Sequence, residues 1–370
     1  MEKNNNSDEN IISLKCDSNG IKKIVKIKDN IIYKIIELDK ERLNYKPIFR
    51  ELRTLKAIEN KSEYLIQLRG KKSIHNKNNK LELHLEFNDE GIDLQSLINF
   101  KNYNYRQEPN LIKSILFQLL KGVDALHSLN IIHRNLSPSH ILISETGDIK
   151  IIGFSKSIND IESKFVEDKI VGELHYTPPE CLINQCYNNK YDMFSIGILM
   201  LELYSKKTGL LRLTPDSEKE SLPLKCFRQL KSYSDFFKVK FNFRYSETNE
   251  QKAELEAWIS KVEFDEDKFN GIFQNIPDLD ESGLELLRKL LEFNPKKRIK
   301  AKEALKMKYF EEFQDLNKEE NSKKNKTKFI NEDFSVFVRN LEKEYQKVNE
   351  CPLKEKMKIF QDEINNFCKI

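Results

Sequence analysis

The stretch that decides the fold is residues 131–155, IIHRNLSPSHILISETGDIKIIGFS. Its apolar, β-branched runs at residues 141–143 and 149–152 are typical of strands, and the letters ETGD between them are typical of a turn. We therefore predict a β-hairpin. Polar segments flank it, with HRN at residues 133–135 before it and GFS at residues 153–155 after it. These two flanks are the first candidates for a functional site.

The arrangement resembles the catalytic and metal-binding loops of the eukaryotic protein kinases, whose motifs read H-R-D-L-x-x-x-N and D-F-G. The residues that match this framework are His133, Arg134, Leu136, Pro138 and Phe154. The resemblance implies a bilobal α+β fold. In that fold a small antiparallel β-sheet forms the N-lobe, and a mainly helical C-lobe follows it.

Four positions depart from the motifs where the family does its chemistry. Asn135 stands in place of the catalytic Asp, Ser137 in place of the usual Lys, His140 in place of the metal-binding Asn and Gly153 in place of the metal-binding Asp. An amide lacks the basicity to accept the substrate's proton. Glycine offers no ligand, and imidazole prefers softer metals than magnesium. The departures imply a catalytically inactive member of the family, a pseudokinase, with no metal site and no cofactor expected; ATP binding without magnesium stays open.

The N-lobe carries further landmarks of the family in the expected order. Lys34, in IIYK, occupies the position of the V-A-I-K lysine, and Glu51 occupies that of its partner on the first long helix. The gatekeeper and hinge positions, whose backbone recognises adenine in active relatives, are Leu85, Glu86 and Phe87. Of the glycine-rich phosphate loop only Gly20 is present, so we do not expect the backbone to approach phosphate closely. The resemblance therefore implies a residual nucleotide pocket at most.

Residues that hold the shape of the C-lobe in the family are retained. Asp192 matches the buried Asp that anchors the catalytic loop, and Glu180 and Arg298 match the A-P-E glutamate and its arginine partner. Glu173 replaces the Thr that hydrogen-bonds the catalytic Asp. Residues 115–134 and 290–310 look most like the mitogen-activated and cyclin-dependent kinase branch, so we expect a CMGC-like member.

Domain organisation follows from the extent of the resemblance and from composition. We expect a polar, disordered tail at residues 1–10, a kinase-like domain at 11–313, a charged linker at 314–331 and an amphipathic helical extension at 332–370. The domain divides into an N-lobe at about 11–87 and a C-lobe at about 88–313, with an insert at about 210–269. The insert's aromatic side chains either pack internally, which we favour, or form a partner surface. The extension either packs on the domain or binds another protein.

Composition narrows the class of protein. The chain has 370 residues, 33% of them charged, with a net charge of +4, which is not the profile of a nucleic-acid-binding protein. Its six cysteines form no C-x-x-C pair, as expected in a reducing compartment. No apolar run approaches the roughly 20 residues of a membrane helix. We therefore expect cytoplasmic residence, with the nucleus or a cytoskeletal assembly as alternatives.

Two functions are consistent with these patterns. The first is a pseudokinase that acts as a scaffold or allosteric partner, binding other proteins through its C-lobe, its insert and its C-terminal helices. The second is a divergent Ser/Thr protein kinase that retains ATP binding and weak phosphotransfer. The first is favoured because the departures fall on the catalytic positions.

Overall fold

The structure is a computed structural model that describes residues 10–17, 20–27, 31–38, 45–69, 73–77, 80–100, 105, 109–159, 170–184, 187–213, 220–273 and 279–316. The predicted extension at 332–370 and most of the predicted linker lie outside the described residues. So does the predicted tail, apart from Asn10, which begins the first strand. No helix in the described ranges is long and apolar enough to cross a membrane.

A five-stranded antiparallel sheet forms the N-lobe, as the sequence predicted. In space its strands run in the order β1-β2-β3-β5-β4. They are β1 (Asn10–Asp17), β2 (Gly20–Ile27), β3 (Ile31–Leu38), β4 (Ser73–Lys77) and β5 (Lys80–Asn88), and helix α1 (Tyr45–Ala57) lies between β3 and β4 in the chain. In the polar stretch SIHNKNNK at residues 73–80, the first five residues form β4. They do so because they pair with β5 from Ser73↔His84 to Lys77↔Lys80.

The pairing of β3 with β5 positions the N-lobe side of the candidate site. Lys34 lies opposite Leu85, and Ile36 lies opposite Leu83. Because side chains alternate along a strand, these four residues share one face of the sheet. Ile36, Leu83 and Leu85 are buried on that face, so Lys34 emerges from an apolar surface.

The C-lobe is mainly helical. Its helices are α2 (Leu94–Asn99), α3 (Pro109–Ser128), α4 (Pro179–Asn184), α5 (Lys190–Ser205), α6 (Leu222–Phe236), α7 (Asn249–Lys261), α8 (Glu266–Phe273), α9 (Glu281–Leu290), α10 (Ala301–Ala304) and α11 (Glu311–Leu316). Every residue of α5 from Tyr191 to Tyr204 is buried. A helix that is apolar on all sides belongs in a core, and α5 is the central helix of this lobe. Helix α11 continues three residues beyond the predicted end of the domain at 313.

Short strands carry the loops of the site. Strands β6 (Ile92–Asp93), β8 (Ile141–Ile143) and β9 (Ile149–Ile151) form one sheet, and β7 (Ile131–Ile132) pairs with β10 (Ile158–Asn159). The predicted hairpin is therefore confirmed as β8 and β9, one residue shorter than expected at its end. Gly147 in its turn has a φ of 72°, which suits glycine.

The insert's aromatic side chains pack against the C-lobe core. The Trp258 ring lies 5.8 Å from Phe293 and 5.1 Å from Phe241, and its indole nitrogen donates to the carbonyl of Lys240 at 3.1 Å. Phe237 and Phe269 stack at 6.0 Å. Internal packing, the alternative favoured from the sequence, describes these side chains.

A buried ion pair connects helix α4 to the segment between α9 and α10 in the C-lobe. The Arg298 guanidinium donates to both carboxylate oxygens of Glu180, at 2.7 and 2.8 Å, and its side chain is fully buried. It also donates to the carbonyls of Lys190, Glu292 and Phe293. The buried guanidinium is stable because its N–H groups are hydrogen-bonded and its charge is balanced by the carboxylate. Removing the carboxylate would leave an uncompensated buried charge.

We predict that Glu180→Ala lowers the free energy of unfolding by about 3–5 kcal/mol, because it leaves the Arg298 charge buried and unpaired. Urea unfolding monitored by circular dichroism measures it. The control is Glu263→Ala, which removes the exposed partner of Lys297, the residue next to Arg298; it should leave stability nearly unchanged. Equal losses in the two variants would contradict the prediction.

Candidate functional site

The candidate site is the cleft where the sheet, α1 and the loops around the β8–β9 hairpin meet. Lys34 on β3 forms an ion pair with Glu51 on α1, and both side chains are largely buried. The structure therefore brings together two residues that lie 17 positions apart in the sequence. The pair ties α1 to the sheet and leaves a lysine at the edge of the cleft.

The hinge is occupied by interactions within the protein. The carbonyl oxygen of Glu86 accepts the backbone N–H of Arg69 at 2.7 Å, and its carboxylate accepts the Tyr33 hydroxyl at 2.8 Å. Phe87 and Leu85 are buried. Sequence reasoning did not anticipate that the backbone acceptor of Glu86 already has a donor. A nucleotide base would have to share or replace that hydrogen bond.

Ile32 is a second feature of the hinge region that sequence reasoning missed. It precedes Lys34 by two residues, so it takes the alanine position of the V-A-I-K motif. It lies opposite Phe87 and on the same face of the sheet as Lys34. A branched side chain at this position fills space that alanine leaves open. It therefore narrows the residual nucleotide pocket beside the hinge. Aligning residues 31–34, IIYK, with the V-A-I-K motif would have shown this substitution.

The loop before β8 is anchored by a buried carboxylate. Asp192 on α5 accepts the backbone N–H groups of His133 and Arg134, both at 2.9 Å, and its Oδ2 lies 2.9 Å from His127 Nε2. Burial raises the pKa of Asp192, but the hydrogen bonds from the His127 ring and from the His133 N–H outweigh burial and hold the pKa below its ordinary value. The carboxylate is therefore ionised at neutral pH.

His133 and Arg134 are framework residues in this arrangement. His133 Nδ1 accepts the N–H of Asn135 at 3.2 Å, and Nε2 lies 2.9 Å from the carbonyl of Ile152. Burial lowers the pKa of His133, so the ring is neutral with its proton on Nε2. The Phe154 ring packs edge-on against it at 5.3 Å. Arg134 has a φ of 61° and donates from Nε to the carbonyl of Lys156 at 2.7 Å.

The positions that depart from the kinase motifs form one cluster. Asn135 Nδ2 lies 3.3 Å from His140 Nε2, and Ser137 Oγ lies 3.0 Å from His140 Nδ1. If the amide donates to Nε2, the imidazole proton is on Nδ1 and donates to the serine. Three residues that the sequence identified as separate losses thus bond to one another.

Gly153 completes the cluster by having no side chain. A Cβ atom built on it would lie 2.2 Å from Cδ2 of His140, and the backbone φ is 85°. The His140 ring therefore fills the space that the metal-binding Asp of the family motif would enter. The two substitutions depend on each other, because the ring can occupy this place only beside glycine.

Residues 172 and 173, which come later in the sequence than the loops of the cleft, are also part of a segment that differs from the family motif. Glu173 Oε2 lies 2.5 Å from Arg212, and both side chains of this pair are exposed. Gly172 packs directly on Asn135, since a Cβ there would lie 2.9 Å from its Oδ1. The described partners of the Glu173 carboxylate are thus Arg212 and His175, and the residue that packs on Asn135 is Gly172.

The residues of the cleft do not fit a magnesium ion. Gly153 supplies no oxygen, the His140 ring stands in its place, and hard cations need oxygen ligands. The acids closest in sequence, Glu145 and Asp148, belong to the β8–β9 turn, where Asp148 accepts the Thr146 hydroxyl at 2.9 Å. Within the described ranges, no group of three or more His, Cys, Asp or Glu side chains is arranged to hold a metal.

Comparison with known proteins defines the class. The family model described as "Protein kinase domain" matches residues 18–310, and the chain belongs to that family. It is 28% identical over 304 residues to Cyclin-dependent kinase B2-2 of Arabidopsis thaliana, covering 79% of this chain and 90% of the relative.

A solved structure supports the same fold. A chain from the CAK complex of Chaetomium thermophilum bound to ATP-gamma-S matches with a TM-score of 0.60 and 21% identity, covering 80% of this chain and 88% of that chain. The predicted bilobal kinase fold is confirmed, and the likeness to a cyclin-dependent kinase supports a CMGC-like member.

We predict that Gly153→Ala lowers the free energy of unfolding by about 1–3 kcal/mol, because the new methyl group collides with the His140 ring at a positive φ. In the His140→Ala background the same substitution should cost less. A double-mutant cycle by urea unfolding measures the coupling, expected at about 0.5–3 kcal/mol. The control is Gly271→Ala, whose Cβ would meet nothing within 4 Å. Strict additivity at Gly153 and His140 would rule out the contact.

A buried acid behind the cleft provides a test by pH. Glu202 on α5 accepts the Tyr176 hydroxyl at 2.5 Å and the N–H of Leu210 at 3.1 Å. Burial raises its pKa above the ordinary 4.5, although these hydrogen bonds partly oppose the shift. A raised carboxyl pKa means that the folded state holds the proton more tightly than the unfolded state. The contribution of Glu202 to stability is therefore full below pH 4.5 and is lost as the pH rises through the raised pKa.

We predict that the stability of the wild type relative to Glu202→Gln falls as the pH rises above 4.5, because only the wild type must bury a charge. Urea unfolding at a series of pH values measures this difference. The same substitution at exposed Glu254 is the control. A difference that grows with pH would mean that the buried carboxylate stabilises the fold.

Proposed function

We propose that this protein is a pseudokinase that acts by binding other proteins, as a scaffold or an allosteric partner. The observation that carries the proposal is the His140 ring lying where a Cβ of residue 153 would be. Phosphoryl transfer depends on positioning and on neutralising phosphate charge with metal ions. A ring in the place of a metal ligand opposes both.

The retained framework supports this proposal. The Asp192 anchor and the buried pair of Glu180 and Arg298 stabilise the fold without contributing to catalysis. The pair of Lys34 and Glu51 connects α1 to the sheet of the N-lobe. A chain that keeps these contacts and loses the catalytic positions retains the shape of a kinase as a binding surface. We propose the C-lobe, the insert and the C-terminal segment as partner surfaces, and the cytoplasm as the location.

The second candidate is a divergent Ser/Thr kinase that retains ATP binding and weak phosphotransfer. The name of the plant relative and the coverage of 90% of its length favour it, and kinases of this family generally use ATP with magnesium. The intact pair of Lys34 and Glu51 also favours it. This candidate needs a metal ligand from elsewhere in the chain, and ATP binding without magnesium stands between the two candidates.

Thermal unfolding with millimolar ATP, once with magnesium and once with EDTA, separates the candidates. We expect no magnesium-dependent rise in Tm, because the ligand positions are lost. If ATP raises the Tm in EDTA and magnesium adds no further rise, the protein is a nucleotide-binding pseudokinase. The positive control is His140→Asn/Gly153→Asp, which restores both oxygen ligands. Several degrees of magnesium-dependent stabilisation of the wild type, with phosphate transfer that Lys34→Met abolishes, would establish the active enzyme instead.

A further inference from the structure

The segment between α6 and α7 has the side-chain pattern of a β-strand, although it pairs with none of the strands that the structure describes. Lys238, Lys240, Asn242 and Arg244 are exposed, whereas the residues between them, Val239, Phe241, Phe243 and Tyr245, are partly buried. A two-residue alternation is the signature of an extended chain. We call residues 238–245 the insert edge.

The inward side chains fix the insert edge to the C-lobe. The Phe241 ring lies 5.4 Å from Phe227 on α6 and 5.1 Å from Trp258 on α7, and Tyr245 lies 5.5 Å from Phe227. Phe243 packs on Trp258 at 6.1 Å. The segment is thus held by a layer of aromatic rings rather than by strand pairing.

At the start of the insert edge, Lys238 has a φ of 56°, and Val239 bonds to Ser234 through both its N–H and its carbonyl. The extended part therefore begins at Lys240, and from there the described backbone bonds lie along one side. The carbonyls of Lys240 and Arg244 accept from the side chains of Trp258 and Gln251, both on α7. In an extended chain the backbone polar groups of alternate residues point to opposite edges. The even-numbered residues therefore face α7. On the opposite edge, Phe241, Phe243 and Tyr245 make no backbone hydrogen bond to any residue that the structure describes.

The charge of the insert edge selects among possible partners. Residues 238–245 contain three basic side chains and no acidic one. A second copy of the same edge would place like charges opposite one another, which is unfavourable in paired strands. An acidic strand would satisfy the open backbone groups and the exposed basic row together.

We propose that the insert edge binds an acidic segment of another protein, which adds in extended form as a β-strand along Phe241, Phe243 and Tyr245. The bound segment gains main-chain hydrogen bonds from the edge, and its acidic side chains face Lys240 and Arg244. This surface is separate from the cleft, so the inference holds whether or not the protein transfers phosphate.

The test uses the full chain and a fluorescent peptide of alternating Glu and Val, which places all carboxylates on one face when extended. Two control peptides are matched to it: one carries proline at the central Val, and one has Lys in place of Glu. By fluorescence anisotropy we expect the Glu-Val peptide to bind and both controls to bind at least about tenfold more weakly. Equal binding of the proline peptide would overturn strand addition in favour of charge attraction alone.

Matched protein variants locate the contact. Lys240→Glu/Arg244→Glu should weaken binding of the Glu-Val peptide by about tenfold or more and strengthen binding of the Lys-Val peptide. Lys302→Glu/Lys306→Glu changes the net charge equally at exposed positions on α10 and beside it, and should have little effect. Equal loss in both variants would overturn the assignment. So would a dimer of the wild type in sedimentation velocity that Lys240→Glu/Arg244→Glu abolishes, since the occupant would then be a second copy.

Discussion

The cleft of this protein depends on the carboxylate of Asp192. It accepts two successive backbone N–H groups, of His133 and Arg134, in a loop where Arg134 has a positive φ. Buried N–H groups without acceptors are costly, and a left-handed residue is retained only where its surroundings enforce it. The carboxylate lies on the central helix α5, so the loop is fixed to a helix that is buried from Tyr191 to Tyr204. Everything that follows in the loop, including Asn135 and His140, takes its position from this anchor.

The anchor explains how a kinase fold remains ordered after its catalytic residues have changed. Asp192, Glu180 and Arg298 each satisfy buried polar groups, and those requirements are independent of any reaction. The catalytic positions carry no such requirement, because an exposed carboxylate that binds a metal contributes little to folding. His140, Ser137 and Asn135 have become a small hydrogen-bonded cluster of their own. Repacking of this kind makes the loss of a metal site hard to reverse by one substitution.

Much of the fold was predictable from motif spacing, and the reason is physical. The hairpin of β8 and β9 follows from β-branched runs around a turn, and the antiparallel sheet of the N-lobe follows from the resemblance to the kinase family. The sequence does not show which side chains contact each other when they lie thirteen positions apart. The contact between His140 and Gly153 was therefore found only in the structure. For the same reason the donor to the Glu86 carbonyl was missed, since Arg69 lies on a segment with no motif. The polar letters of Ser73–Lys77 give no strand signal, and this segment is a strand because it pairs with β5.

The insert is stabilised by packing of aromatic side chains, whereas the cleft depends on buried hydrogen bonds. Its aromatic rings bury against α6, α7 and Phe293, which accounts for their number without any partner. Packing of side chains, however, leaves the backbone of Phe241 and Phe243 without a hydrogen bond to any residue in the described ranges. Exposed backbone groups bond to water when no protein group is available, and a strand that displaces this water exchanges those bonds at little net cost. What distinguishes one incoming strand from another is then the row of charges beside the edge, and here that row is basic.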